Sequence, residues 1–290
     1  MIRKTLLFRN LTDNIPKNVG LYSVGILFLV ISGYSFELIN MGFGLIAFII
    51  SYSSVYVFND IFDISEDEGL PAKRTRKPLV QGSVEKSEAI IICLVLLIVG
   101  LSLSLLQNSI FFGILSFLII INALYSIPIV TLSRSRLTPH ETDQQDNTHD
   151  ITRPISFKHT IAGLPLVFVM QFLKILLPWT ITPELVHFPF LFAVGFSLTY
   201  VVLFKGYKMD RTVGESVTHE PLLFSAAVIV FILSMLVHPE PILQASIFFY
   251  LLAGVIFFRK HHLVDKTVII LSPVYIIVGV LILFWMILYI

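Results

Sequence analysis

The chain has 290 residues, 56% of them hydrophobic and 13% charged, with a net charge of +1 and a mean hydropathy of +0.87. A soluble domain carries about 25% charged residues, so a surface facing water on all sides is excluded and a bilayer is the main solvent. The near-zero net charge argues against a nucleic-acid partner, and the single cysteine, Cys93, excludes an intrachain disulfide framework.

In chain order, residues 1–18 mix Arg3, Lys4, Arg9 and Lys17 with Leu6, Leu7, Phe8 and Leu11. That pattern predicts a short helix lying in the membrane interface, and no cleavable leader is expected because no apolar run precedes a small-residue cleavage site. A spanning helix needs roughly 17–25 mostly apolar residues. About nine runs fit: Val19–Ile39, Gly42–Phe62, Ala89–Leu106, Ile110–Leu132, Thr160–Thr180, Phe188–Phe204, Leu222–Val237, Ile242–Phe258 and Thr267–Ile290. Between the fourth and fifth lies a long polar loop, 133–159, with Glu141, Asp143, Asp146 and Asp150. The predicted architecture is one all-α, multi-pass integral membrane domain over 1–290.

Basic residues collect in cytoplasmic loops. With the N-terminus inside and the C-terminus outside, the cytoplasmic segments are 1–18, 63–88, 133–159, 205–221 and 259–266, and every Lys and Arg except Lys174 falls in them. Lys174 is expected to snorkel to the far interface; the alternative is a polar group lining an internal cavity. The pair His261-His262 and the other scattered histidines have no metal-site spacing.

The second span ends in Asn59-Asp60-x-x-Asp63-x-x-x-Asp67. Asn59, Asp63 and Asp67 recur every four residues, and Asp60 precedes Asp67 by seven, so on a helix all four share one face. Like charges so placed repel unless a cation sits among them, and hard oxygen ligands of this kind suit Mg2+. A basic stretch follows directly: Pro71-Ala72-Lys73-Arg74-Thr75-Arg76-Lys77-Pro78-Leu79, then Gly82. Carboxylates to hold magnesium, with Lys and Arg to neutralise phosphate oxygens, are what a metal–diphosphate site requires. The bland alternative is a positive-inside anchor beside a solvated acidic helix end.

The acidic motif at the end of the second of nine spans resembles the first aspartate-rich motif of the UbiA prenyltransferase superfamily. Arg76-Lys77-Pro78-Leu79-x-x-Gly82 is similar to that family's Arg-Pro-Leu-x-x-Gly, with Lys77 in place of Arg, and Tyr125-Ser126-x-Pro128 resembles a further family segment. The resemblance implies transfer of a prenyl group from a polyprenyl diphosphate to an aromatic or lipid acceptor, with an Mg2+ cofactor and a cytoplasmic active site. It implies Asp60, Asp63 and Asp67 as catalytic metal ligands, joined by Asp210. It implies Asn59, Lys73, Arg74, Arg76, Lys77, Lys205, Lys208, Arg211 and Tyr125 as groups for the diphosphate.

One departure is visible. Where the family has a second Asp-x-x-x-Asp motif, this chain has Gly206 and Asp210, with Lys205, Lys208 and Arg211 around them. A related branch, the decaprenyl-phosphate phosphoribosyltransferases, extends the first motif with Pro-x-Lys-x-x-Arg; Pro71-x-Lys73-x-x-Arg76 fits that extension, and Lys205 with Tyr207 is similar to its second element. Phosphoribosyl transfer from phosphoribosyl diphosphate to a polyprenyl phosphate is therefore the runner-up, and a non-catalytic scaffold or a transporter the reading outside enzymology.

Overall fold

The computed structural model describes residues 15–68, 77–132, 153–157 and 163–201, with a few helical residues between 226 and 233. The interfacial segment up to residue 14, the basic stretch 69–76, loop residues 133–152, the segment 202–225 and the last two expected spans lie outside the described residues.

The first helix, α1 (Ile15–Ile31), stops well before Ile39, the end expected from hydropathy. Gly33 takes φ 71, its N–H donates to the Val30 carbonyl at 3.0 Å, and the Tyr34 N–H donates to the Leu29 carbonyl at 3.1 Å. This paired closure satisfies the last carbonyls of a helix and needs a left-handed residue, which glycine supplies at no steric cost. The second span, α2 (Leu38–Phe62), starts after that turn. Past Asp63 the chain stays helical in a short segment, α3 (Ile64–Asp67).

Next come α4 (Lys86–Gln107) and α5 (Ser109–Ser126), separated by Asn108 alone. Asn108 turns the corner in extended backbone. Its side-chain oxygen accepts from the Phe111 N–H at 2.7 Å, and its amide donates to the Thr180 carbonyl at 2.9 Å. Hydropathy carries the fourth span to Leu132, but α5 ends at Ser126. Pro128 disfavours helical backbone at the residue before it, and Ile127 is extended. Instead β1 (Pro128–Leu132) pairs antiparallel with β2 (Arg153–Ser156), with Thr131 opposite Pro154 and Leu132 opposite Arg153. This ribbon zips the two ends of the polar loop and replaces the last turns expected of the fourth span, in a chain whose other described elements are helical. After it, α6 (Gly163–Leu176) runs on into 3-10 turns at Leu177–Ile181 and Pro183–His187, and α7 (Phe190–Tyr200) follows.

Among the described residues, four helical stretches are long and apolar enough to cross a membrane: Leu38–Phe62, Lys86–Gln107, Ser109–Ser126 and Gly163–Ile181. Their packing has the inverted character that lipid permits. On α4, Ile91, Ile98 and Leu106 are exposed, while the core gathers Tyr22, Phe28, Phe48, Phe111, Leu115, Trp179, Phe192 and Phe196. Where lipid weakens the hydrophobic drive between helices, small residues let backbones approach closely. Gly100 on α4 lies on the Ser51 backbone of α2, and Gly25 on α1 lies on the Ile175 carbonyl and Pro178. The Trp179 indole N–H donates to the Gly25 carbonyl at 2.9 Å, locking the second approach.

Lys174 does not reach the far interface. It is 5% exposed, and its ammonium lies 4.3 Å from the centroid of the Tyr52 ring inside the bundle. Gln171, one turn earlier, is also buried. An ammonium over an aromatic face gains electrostatic stabilisation that grows when water is excluded, which is why the inward position competes with snorkelling. Tyr52 holds a second group: the Asn122 amide donates to its hydroxyl at 2.6 Å and approaches the Met170 sulfur at 2.9 Å. Tyr52→Phe should therefore cost about 1 kcal/mol, the worth of one hydrogen bond. Tyr52→Leu should cost about 2 kcal/mol more, by removing the desolvated cation–π contact. Thermal unfolding in detergent reads the difference, and equal losses would show that the ring does not support Lys174.

Candidate active site

The site is built on the end of α2. The Asp63 N–H donates to the Asn59 carbonyl at 2.9 Å, and the Asp67 N–H donates to the Asp63 carbonyl at 2.8 Å. The four-residue spacing seen in sequence thus becomes consecutive helical turns that continue through Asp63 into α3. Asp60 and Asp67 are both buried, at 7% and 0% exposure.

They meet on one cation. The Lys77 ammonium lies 2.8 Å from Asp60 Oδ1 and 2.5 Å from Asp67 Oδ2. Burial works against the charge on Lys77, but the two carboxylates outweigh it and hold its pKa above the ordinary lysine value. Lys77 therefore stays an ammonium.

The motif after Lys77 explains how the ammonium is aimed. The Gln81 N–H donates to the Lys77 carbonyl at 3.1 Å, and the Ser83 N–H and hydroxyl both donate to the Pro78 carbonyl at 3.0 Å. Gly82 takes φ 64. Leu79 is buried with Val57, Val84 and Ala89, pinning the turn to α2 and α4. A capping box at Glu85 and Glu88 then starts α4. In Lys-Pro-Leu-x-x-Gly the proline and glycine shape the turn, the leucine anchors it and the lysine reaches the acids. Gly82→Ala should cost roughly 1–2 kcal/mol, the penalty of a Cβ in left-handed backbone, and Gly82→Asn less. Unchanged thermal stability of the alanine variant in detergent would mean that the turn conformation is not required.

Asn59 Oδ1 is buried and has no hydrogen-bond partner among the described residues. Tyr125, near the end of α5, has its ring against Gly163 and its phenol within electrostatic reach of Asp63 and Tyr200. The structure therefore gathers Asn59, Asp60, Asp63, Asp67, Lys77 and Tyr125. Lys73, Arg74, Arg76, Lys205, Lys208, Asp210 and Arg211 lie outside the described residues. Among the described residues, no group of three or more Asp, Glu, His or Cys side chains stands together as a ready metal cage; two of the expected carboxylates are engaged by Lys77. The donor set nevertheless suits a hard cation. Every candidate ligand is an oxygen, one of them is buried without a partner, and a positive charge already sits between two of them.

Aromatic residues next to the acids are a part of the site that the sequence reading leaves unassigned. Tyr56, Tyr52 and Phe48 precede Asp60 by four, eight and twelve residues, one stripe of α2 running from the carboxylates into the core. Tyr52 meets Tyr56 edge-on with ring centroids 5.5 Å apart, and Phe48 meets Tyr52 at 5.4 Å. The Asn18 amide donates to the Tyr56 hydroxyl at 2.9 Å, tying α1 to this stripe. The four-residue spacing is the signal by which a sequence could reveal them.

Residues 20–140 match the sequence model of the UbiA prenyltransferase family. No curated protein matches the chain. Among solved structures, a UbiA homologue from Archaeoglobus fulgidus bound to GPP and Mg2+ is similar at a TM-score of 0.65 and 18% identity, covering 96% of this chain and 98% of that one. The same homologue bound to DMAPP and Mg2+ gives 0.63 and 18%, covering 94% and 96%. A digeranylgeranylglyceryl phosphate synthase gives 0.59 and 17%, covering 96% and 94%. At these identities the structural likeness establishes the fold. The family match spans less than half of the chain, and the solved structures show what its fold is similar to.

Proposed function

We propose that the chain is a membrane-embedded, Mg2+-dependent transferase that moves a prenyl group from a polyprenyl diphosphate to a lipid or aromatic acceptor and releases diphosphate. The observation that carries this reading is the buried Asp60–Lys77–Asp67 cluster at the end of a spanning helix, with Tyr56, Tyr52 and Phe48 descending from it. One end of that stripe suits a charged headgroup and the other an isoprenoid tail. The solved homologue bound to GPP or DMAPP with Mg2+ supports the same pairing.

In this reading Asp60, Asp63 and Asp67, with Asn59 Oδ1, would hold the metal, joined by Asp210. A bound divalent cation supplies positive charge against the diphosphate oxygens. Lys77 donates to those oxygens, as do Lys73, Arg74, Arg76, Lys205, Lys208 and Arg211, and Tyr125 orients the group from beside Asp63. As the allylic C–O bond lengthens, its electron pair leaves on the diphosphate. The carbon left electron-poor is faced by aromatic rings, which attract cations. The acceptor's nucleophilic atom forms the new bond and gives up its proton. The distribution of basic residues supports a cytoplasmic location for this chemistry.

Phosphoribosyl transfer to a polyprenyl phosphate is kept as a second reading because Pro71-x-Lys73-x-x-Arg76 fits it and Gly206 stands where a second-motif aspartate belongs. The deciding experiment offers the purified protein Mg2+ with a set of prenyl diphosphates and, separately, phosphoribosyl diphosphate plus a polyprenyl phosphate. Metal-dependent pyrophosphate release from a prenyl diphosphate in the presence of acceptor is expected. Release only from phosphoribosyl diphosphate would transfer the assignment to the second reading, and release from neither would reject both.

A further inference from the structure

Diphosphate binding does not by itself account for where the Lys77 ammonium sits. It is not held out toward an incoming anion but inserted between Asp60 and Asp67, touching both. Those are two of the side chains that would hold the divalent cation, so lysine and metal compete for the same oxygens. We propose that Lys77 is an intramolecular counter-cation that fills the carboxylate site before substrate arrives, and that it passes to the diphosphate when the carboxylates take up a divalent cation. The proposal rests on the reading of Asp60 and Asp67 as cation ligands.

Three features make the exchange physically reasonable. Asp60 and Asp67 are both buried, and two carboxylates without a neighbouring cation in such a place would repel each other and lose their hydration. The backbone that presents Lys77 is fixed by the Pro78–Gly82 turn and by buried Leu79. The ammonium itself is carried on a flexible four-carbon stem, and the Lys77 side chain keeps 20% of its surface exposed. The head can therefore change partners while its attachment stays in place. Asn59 Oδ1, buried without a partner among the described residues, is a further oxygen near the Asp60 end of the cluster that an ammonium occupied with two carboxylates leaves unused.

The exchange has a thermodynamic consequence. A divalent cation binding alone must displace Lys77 from both carboxylates, so metal alone binds weakly. Diphosphate gives the released ammonium a partner, so metal and diphosphate promote each other's binding, as reciprocal linkage requires.

The test is Mn2+ binding to the purified full-length protein in detergent, followed by the electron paramagnetic resonance signal of free Mn2+, with no diphosphate present. Lys77→Met should bind Mn2+ about tenfold more tightly than the wild type, a coupling of ordinary size. Lys77→Arg, which keeps the charge, should stay close to wild type. Adding Asp60→Asn to Lys77→Met should abolish the gain. If Lys77→Met does not remain monodisperse without metal, Lys77→Gln replaces it, with the same tightening expected. Asp60-dependent Mn2+ binding that is no tighter in the Met or Gln variant than in wild type would overturn the proposal and leave the metal site standing. If no variant shows Asp60-dependent binding, the metal reading fails and takes the proposal with it.

Discussion

Asp63→Ala should reduce Mg2+-dependent pyrophosphate release at least about 100-fold, and Asp60→Ala should do the same, since removing one preorganised partner of a developing charge typically costs about 2.7–4 kcal/mol. The two losses should come with little loss of folded protein. Lys77 contacts two carboxylates, so deleting Asp60 leaves its ammonium on Asp67. Activity and stability are thereby separated: turnover should vanish while elution from size exclusion and the unfolding temperature in detergent change little. Near-normal turnover in either variant would refute the site.

Gly100→Leu should have the largest effect on the fold. A Cβ at Gly100 would fall on the Ser51 backbone, and backbone cannot swing aside as a side chain can. Even Gly100→Ala forces α2 and α4 apart, at about 1–3 kcal/mol for an overpacked contact, and leucine should cost more and yield little monodisperse protein. Gly113, on the following helix α5, is the internal control, because nothing lies within 4 Å of its added Cβ. Gly113→Ala should be neutral or slightly stabilising, as alanine is the better helix former. Equal behaviour of the two alanine variants would dismiss the close approach of α2 and α4. Because α2 carries the acids at its end, a displaced α2 should also lose activity.

The acidic site is legible in the sequence because its information is local. Asn59, Asp60, Asp63 and Asp67 lie within nine residues of one helix, and helical spacing alone puts them on one side. The basic motif is legible as chemistry but not as geometry. Nothing in Lys-Pro-Leu-x-x-Gly says that the lysine turns back onto Asp60 and Asp67, since that contact depends on Leu79 docking against Val57 and Ala89. Helix ends are missed where hydropathy overrides backbone chemistry. The run up to Ile39 stays apolar enough to hide the Gly33 closure, and Ile127 to Leu132 looks like more span although Pro128 ends the helix. Lys174 is misplaced by the sequence reading because a chain alone shows a charge in a span but not the Tyr52 ring waiting across the bundle. The stripe Phe48–Tyr52–Tyr56 is readable in principle, yet in a chain with 25 Phe and 10 Tyr its spacing does not stand out until Asp60 is known to begin a site.

The proposed function depends on a divalent cation held by the carboxylates at the Asp60 end of α2. Crystals grown with Mn2+ and a prenyl thiolodiphosphate, measured at an energy where manganese scatters anomalously, address it directly. The expected result is an anomalous peak within ligand distance of Asp60 and Asp63, with the Lys77 ammonium withdrawn onto the diphosphate. A peak elsewhere, or density for the analogue with Lys77 still wedged between Asp60 and Asp67 and no metal beside them, would contradict it.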